Sequence, residues 1–515
     1  MNARNCKANA GGPRLRLKLN MVTCAFVAMG VSSAHAGNFQ FGDGINVDYL
    51  TTVNYGLNVR AEKQSNDLID NNINGDDGDR NFKRGSIVNN RISAIGEMNI
   101  SKDGTGVMLR GSTFYDFAYN TSNDNNSPDT INKFGPVDHF SSQAKDRSGS
   151  RTRLLDAYAY TGGAVGDSSF YDLRVGNQVV AWGESLFISG ISAVQGPVDA
   201  TKANVPGTEV KEILLPESQI AGSFSFNDWT LLSYYQFKSH PYELSPVGDY
   251  FSTTDVVGAG ARYIRFSEGD LASVGKLART SDEDARDSGQ WGLGVRYMLT
   301  PNTQVGVYRL RYHDRLPSVL LNPTAGTYTV KYFEDIDLTG ASVSTRIGDW
   351  QVSGEVSYKD GLPLASTTVG VSRGSASQAQ ISTIRTWGAS WIAPQTTLVA
   401  EVGALHVNDI DQGKLAGDRN AQMGQMTATM TYPDVFSGWD MSVPVSYGRQ
   451  FNQSSVGTFG FGGDGDSRAS IGAKFKYLSN LEVGLTYNAF LGSPDPVERP
   501  LADRDFVSFN VKYDL

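Results

Sequence analysis

Cysteine is nearly missing from these 515 residues: there are two, Cys6 and Cys24. Both fall in a first stretch, residues 1–36, that has the layout of a secretory signal peptide. Arg4, Lys7, Arg14, Arg16 and Lys18 give it a basic start with no acid. The 11-residue apolar run "MVTCAFVAMGV" follows, too short to span a bilayer as a helix, and "AHA" at residues 34–36 supplies small residues for cleavage. An exported chain starting near Gly37 would carry no thiol, so packing and hydrogen bonds rather than disulfides must hold it. Positive charge is also scarce. Without the five bases of the first stretch the formal net charge moves from −9 to −14, which argues against a nucleic-acid partner, whose phosphates need a basic surface.

Other absences narrow the class further. Beyond residue 36 there is no apolar run of the ~18 residues that a membrane-spanning helix needs. Sustained helical periodicity and a Pro/Ser-rich linker are missing too. A Gly-Lys-Ser/Thr phosphate loop is absent, and the Gly-x-Ser-x-Gly match at residues 370–374 has no helical segment after it to form an elbow. Only His139, His240, His313 and His406 remain after residue 36, and none sits in a nucleophile motif. The expectation is a protein that is not an enzyme and holds no cofactor.

What the chain has is period-2 alternation in about eighteen segments, each near the ~9–11 residues of a tilted transmembrane strand. Ile45, Val47, Tyr49, Val53, Tyr55, Leu57 and Val59 share one face of the first; Val507, Phe509, Val511, Tyr513 and Leu515 share one face of the last. Soluble sandwiches alternate as well, so a soluble exported β-protein stays open on this ground alone. The connections discriminate, because long polar ones such as 61–85 and 239–289 alternate with short ones such as "SKDGTG", "SFND" and "TPNT". That rhythm predicts an all-β fold: a transmembrane antiparallel β-barrel of about 18 strands with long extracellular loops, short periplasmic turns and a periplasmic N-terminus. Opposite the apolar stripes sit Arg91, Glu97, Arg110, Asp116, Asp156, Arg174, Arg309, Arg311 and Glu401, which are assigned to a wet lumen because lipid would penalise them. Pro444, inside a strand, predicts a bulge, and residues 336–347 change phase at Gly340.

Residues 152–212 are the most distinctive. "LLDAYAY", "LRVGNQVVAWGES" and "GPVDATKANVPGTEVKE" resemble the Gram-negative outer-membrane family of unknown function numbered thirteen-oh-two, with Asn177 and Ala181 departing from its usual Lys and Ser. The resemblance implies an outer-membrane, porin-like barrel. It also implies that the long connection at 183–212 folds inward and narrows the channel.

The residues of that connection suit such a role. Trp182 and Glu184 end the strand, Gly183, Gly190 and Gly196 permit a sharp bend, and Asp199, Lys202, Lys211 and Glu212 could tie it to Arg174 or Asp156. With Gln178, Arg309 and Arg311 these form the expected constriction or lumen lining. "DNNINGDDGD", residues 70–79, matches the first half of a calcium loop at Asp70, Asn72, Asn74 and Gly75. Asn81 stands where the bidentate Glu belongs, so a solvated acidic loop is expected there and no metal.

The functional expectation is an outer-membrane channel for passive uptake or release of a small hydrophobic or amphipathic solute, the hydrophobic preference coming from the resemblance. Its expected partners are outer-membrane lipid and lipopolysaccharide, the solute and the barrel assembly machinery, with an oligomer left open. The alternative is a closed barrel whose long loops serve as a surface adhesin or structural anchor.

Overall fold

The computed structural model describes residues 37–42, 44–266 and 272–515; residues 1–36, expected to be a signal peptide, lie outside the described residues. Nineteen strands form one antiparallel sheet, and eighteen of them close into a barrel. The first barrel strand, Ile45–Arg60, pairs with the second, Ile87–Lys102, on one side. On the other it pairs with the last, Phe506–Asp514, from Thr52↔Asp514 to Arg60↔Phe506. Closure leaves no strand edge facing hydrocarbon, where each unpaired backbone group would cost several kcal/mol. The nineteenth strand, Gly37–Phe41, folds back on Ile45–Tyr49 as a hairpin, beside the part of the first strand that the chain's last residues do not reach.

One rim carries short connections, including 103–104, 166–168, 227–228, 301–302, 348–349 and 437–438. Aromatic pairs flank them: Trp229 on Tyr297 with ring centroids 4.4 Å apart, and Trp439 on Tyr477 at 5.1 Å. This is the interfacial belt of a transmembrane barrel. Between the rims, outward side chains such as Leu173, Val175, Leu293, Val307, Ile381, Val402 and Leu485 are exposed, as only a lipid-facing wall makes affordable. The molecule is an outer-membrane β-barrel.

The other rim carries the long connections, with one departure from the expected alternation. Between Trp350–Ser366 and Gly370–Trp387 there are only three residues, 367–369, because these two strands run on as a tall hairpin above the wall. The long connections are packed rather than solvated. Phe82, Tyr119, Phe140, Tyr250 and Phe506 form one cluster over the barrel mouth. Tyr263–Arg265, Lys276–Arg279, Ser318–Asn322 and Thr327–Lys331 build a second, four-stranded sheet around Ile264, Leu277, Tyr328 and Val330. Buried Arg60 fastens this cap, bonding Asp79 and lying 3.2 Å from Asp503.

Two local expectations are corrected. Pro444 causes no bulge: the register of Trp439–Gln450 against Ser467–Tyr477 is the same on either side of it, and pairing merely lapses at 443–444, where proline offers no N–H. Ile336–Ile347 also keeps one register throughout. Its apparent phase change arises because Ile336 and Leu338 point into an apolar core inside the barrel, whereas Val343 and Ile347, nearer the short-turn rim, point to lipid.

Candidate functional site

The strand Ser169–Gln178 stops early, and the whole of 179–216 enters the lumen before the wall resumes at Glu217–Phe226. Two carboxylates on the opposite wall hold the descending part. Glu355, on Trp350–Ser366, accepts the N–H groups of Glu184 and Ile191, both at 2.8 Å. Glu401, on Gln395–Ile410, accepts those of Phe187 at 2.5 Å and Ile188 at 2.8 Å, with Leu186 at 3.2 Å. The side-chain amide of Gln378 adds a bond to the Ser189 carbonyl at 2.7 Å. Gly183 and Gly190 make this possible: a Cβ would lie 2.6 Å from Glu355 Oε2 at the former and 1.7 Å from Oε1 at the latter, and Gly183 also has φ +105. Gly340 and Gly403 likewise leave room for Ile191 and Ile188, whose Cδ1 atoms would lie 2.8 and 2.7 Å from an added Cβ.

The loop then crosses to the far wall. Asn58 donates to the Asn204 carbonyl at 3.0 Å and Asn54 to that of Pro206 at 2.9 Å. Lys211 bonds Glu97 and lies 2.9 Å from Glu209, which lies 3.2 Å from Lys512. Lys202 lies 3.7 Å from Glu212 and donates to the Ser112 hydroxyl at 3.4 Å. Asp199 lies 3.5 Å from Arg153 and 3.9 Å from Arg151. Both arginines, with Arg147, also converge on Glu243 of the 237–290 connection.

The residues expected at a constriction therefore separate. Asp199, Lys202, Lys211 and Glu212 are on the crossing loop, but their partners are Arg151, Arg153, Glu97 and Ser112 rather than Arg174 or Asp156. Asp156 faces inward beside a bulge in the strand Ser150–Val165 and accepts from Arg110 at 2.6 Å. Arg174 stays on the wall with Asp172, at 2.8 Å. Gln178 is buried, exchanging amide bonds with Gln219 across two strands. Trp182 is a core residue, with ring centroids 5.0 Å from Tyr234 and 6.2 Å from Tyr308. Glu184 contributes its backbone to the Glu355 anchor.

Arg309 and Arg311 require a correction. In Thr303–Tyr312 it is Tyr308, Leu310 and Tyr312 that are buried inward, so the two arginines share the outer face with Val307. There they meet Asp337, at 3.0 and 2.8 Å. The inserted loop brings Ile188 and Ile191 into the lumen, and the wall answers with apolar residues on its inner side at this height.

Beside the crossing loop a cavity of about 360 Å³ remains. The loop contributes Phe187, Ser189 and Asn204; the wall contributes Gln425, Ser446, Asn488 and Arg468. The Arg468 guanidinium lies 4.4 Å from the Phe461 ring centroid and 5.4 Å from that of Phe490, and 3.4 Å from Asp466. None of these residues was a sequence candidate. Gln425, Ser446, Arg468 and Asn488 are each one polar residue on the inward face of an alternating strand, and what marks them is the loop opposite.

A closed lipid-facing barrel with a loop folded across its lumen defines the class: an outer-membrane, porin-like β-barrel. The chain belongs to the family described as "Protein of unknown function (DUF1302)", whose model matches residues 17–515. No curated protein matches it. Among solved structures it is similar to OccAB1 of Acinetobacter baumannii, with 10% identity and TM-score 0.46, covering 94% of this chain and 99% of that one. OccK2 (OpdF) of Pseudomonas aeruginosa in complex with glucuronate gives 11% and 0.43, covering 91% and 98%. The outer membrane channel DcaP of A. baumannii gives 11% and 0.39, covering 93% and 100%. These likenesses are too distant to carry function.

Proposed function

We propose that the protein is a passive channel for a small amphipathic solute. The observation that carries this is the cavity between the crossing loop and the wall. It offers amide and hydroxyl groups from Asn204, Gln425, Ser446 and Asn488, one guanidinium from Arg468, and aromatic faces from Phe187, Phe461 and Phe490. Such a lining suits a solute with a polar edge and an apolar body, and gives less support to a purely hydrophobic one. Modest affinity there would raise the local solute concentration while permitting release, and the loop would set size and polarity.

Planar bilayers test the reading. Purified protein should give discrete conductance steps, and Arg468→Ala should shift the reversal potential in a salt gradient toward cations. Bilayers that stay silent across salts, voltages and amphipathic solutes would remove the channel. That outcome would favour a closed barrel acting as a surface adhesin or anchor, a reading supported by the packed apolar cap and its four-stranded sheet. Contacts with lipopolysaccharide and the assembly machinery belong to either reading.

A further inference from the structure

The connection 61–86 brings two consecutive acids, Asp76 and Asp77, beneath the cap, where Asp255 of the 237–290 connection meets them. One carboxylate oxygen from each lies within 4.8 Å of the others, and all three residues are at most 1% exposed. Their hydrogen bonds leave a consistent remainder. Asp76 accepts from Arg80 Nε with one oxygen. Asp255 accepts the Asp77 N–H with one oxygen, at 3.1 Å. Asp77 accepts the Asn132 N–H at 2.8 Å, and the Asn125 amide reaches its other oxygen only at 3.4 Å. Among the described residues the second oxygens of Asp76 and Asp255 have no hydrogen-bond partner.

Charge is out of balance as well. Among the described residues Arg80 is the only base in ion-pair contact with the three; Lys133, Arg265 and Arg504 act on Asp77 and Asp255 only from farther off, so the buried carboxylates outnumber their close positive partners. Burying unpaired carboxylates is costly enough that such groups are ordinarily paired or bound to a metal. The backbone holds the group in place: the Asp255 N–H bonds the Asn74 carbonyl at 2.7 Å, and the Asn132 amide bonds the Asp255 carbonyl at 2.7 Å. A Cβ on Gly75 would lie 2.7 Å from the Thr253 carbonyl oxygen, and one on Gly78 2.3 Å from that of Asp249. Both glycines of "NGDDGD" thus let the two connections touch.

We propose that Asp76, Asp77 and Asp255 bind a calcium ion that ties the 61–86 connection to the 237–290 connection. An excess of buried negative charge suits a cation, and three carboxylates without His or Cys select a hard one. Magnesium demands near-ideal octahedral geometry and keeps several waters, which suits so enclosed and irregular a set poorly. The ligands are not those of the calcium-loop pattern in the sequence. Asp70 is exposed and lies 3.7 Å from Arg80, and the Asn74 side chain is engaged by the Arg265 backbone. The site instead combines the two acids after that pattern's glycine with a third from a distant connection.

Calorimetric titration of calcium into the detergent-folded, chelator-stripped protein tests this. One site with a dissociation constant of about 10⁻⁴ M or tighter is expected, lying at or below the range of extracellular calcium modules. Asp255→Asn should weaken it at least about tenfold, whereas Asp284→Asn, an exposed acid of the same connection, should leave it unchanged. Calcium should also slow tryptic cleavage within 237–290 in the native protein and not in Asp255→Asn. Heat-modifiable gel migration confirms that each variant is folded; should Asp255→Asn not fold, Asp77→Asn takes its place. No uptake below about 10 mM calcium, or equal uptake by the native protein and the folded variant, overturns the proposal.

Discussion

At the scale of single residues, the inserted loop depends on two carboxylates. Glu401 accepts main-chain N–H groups from three successive residues, and hydrogen bonds to charged groups contribute about 1.5–3 kcal/mol each. Glu401→Ala should lower stability by about 2–4 kcal/mol, less than the sum of the bonds because the buried charge is removed with them. Shifted denaturant midpoints of heat-modifiable migration would measure it, and single-channel conductance should rise as the loop loosens. The outward arginines give the complementary test. Arg309→Leu and Arg311→Leu should leave ion selectivity unchanged, in contrast to Arg468→Ala; a selectivity change of similar size would return them to the lumen. Residue faces were legible wherever lipid decides them, as with Leu173 and Val175. They were misread where apolar residues also point inward, because Tyr308 and Leu310 obey the same hydrophobic rule toward the core around Ile188 and Ile191 that others obey toward lipid.

At the scale of elements, the connection 237–290 is held to the wall by groups that titrate. The hydrogen bond that His240 donates to the Glu217 carboxylate is the main reason its imidazole has a raised pKa, against the opposing effect of burial. A folded-state pKa above the unfolded value of about 6.5 means that this contact contributes fully below that pH and is lost as pH rises through the folded value. Tryptic cleavage within 237–290 should therefore quicken from pH 6 to pH 8.5, in about that window, by more than the protease's own profile explains. His240→Gln should remove the excess. Strands and short turns were readable from alternation and from "SKDGTG"-like punctuation. The course of 179–216 was readable only as a bend, because Glu355 and Glu401 lie far away in sequence and nothing in a single strand says which loop its polar face will meet. The cap was not legible for the same reason: Phe82, Tyr250 and Phe506 come together only once the barrel has closed.

At the scale of the whole molecule, the seam between the first and last strands separates Thr52 from Asp514 by 462 residues, so the final pairing waits for the entire chain. Until then the first strand is a bare row of amides and carbonyls, the kind of edge on which chains aggregate. The hairpin of Gly37–Phe41 on Ile45–Tyr49 changes that wait. Hairpins form in about 1–10 μs, far sooner than so remote a pairing, so one end of the bare edge is shielded almost from the start. Deleting residues 37–44 should leave the conductance of assembled barrels unaltered while lowering refolding yield in favour of aggregate. Equal yields at every protein concentration would show that the hairpin does not protect the edge. A loss of yield without a change in conductance would mean that the short strand beside the seam acts on time rather than on strength, as a kinetic chaperone in cis useful chiefly before the barrel exists.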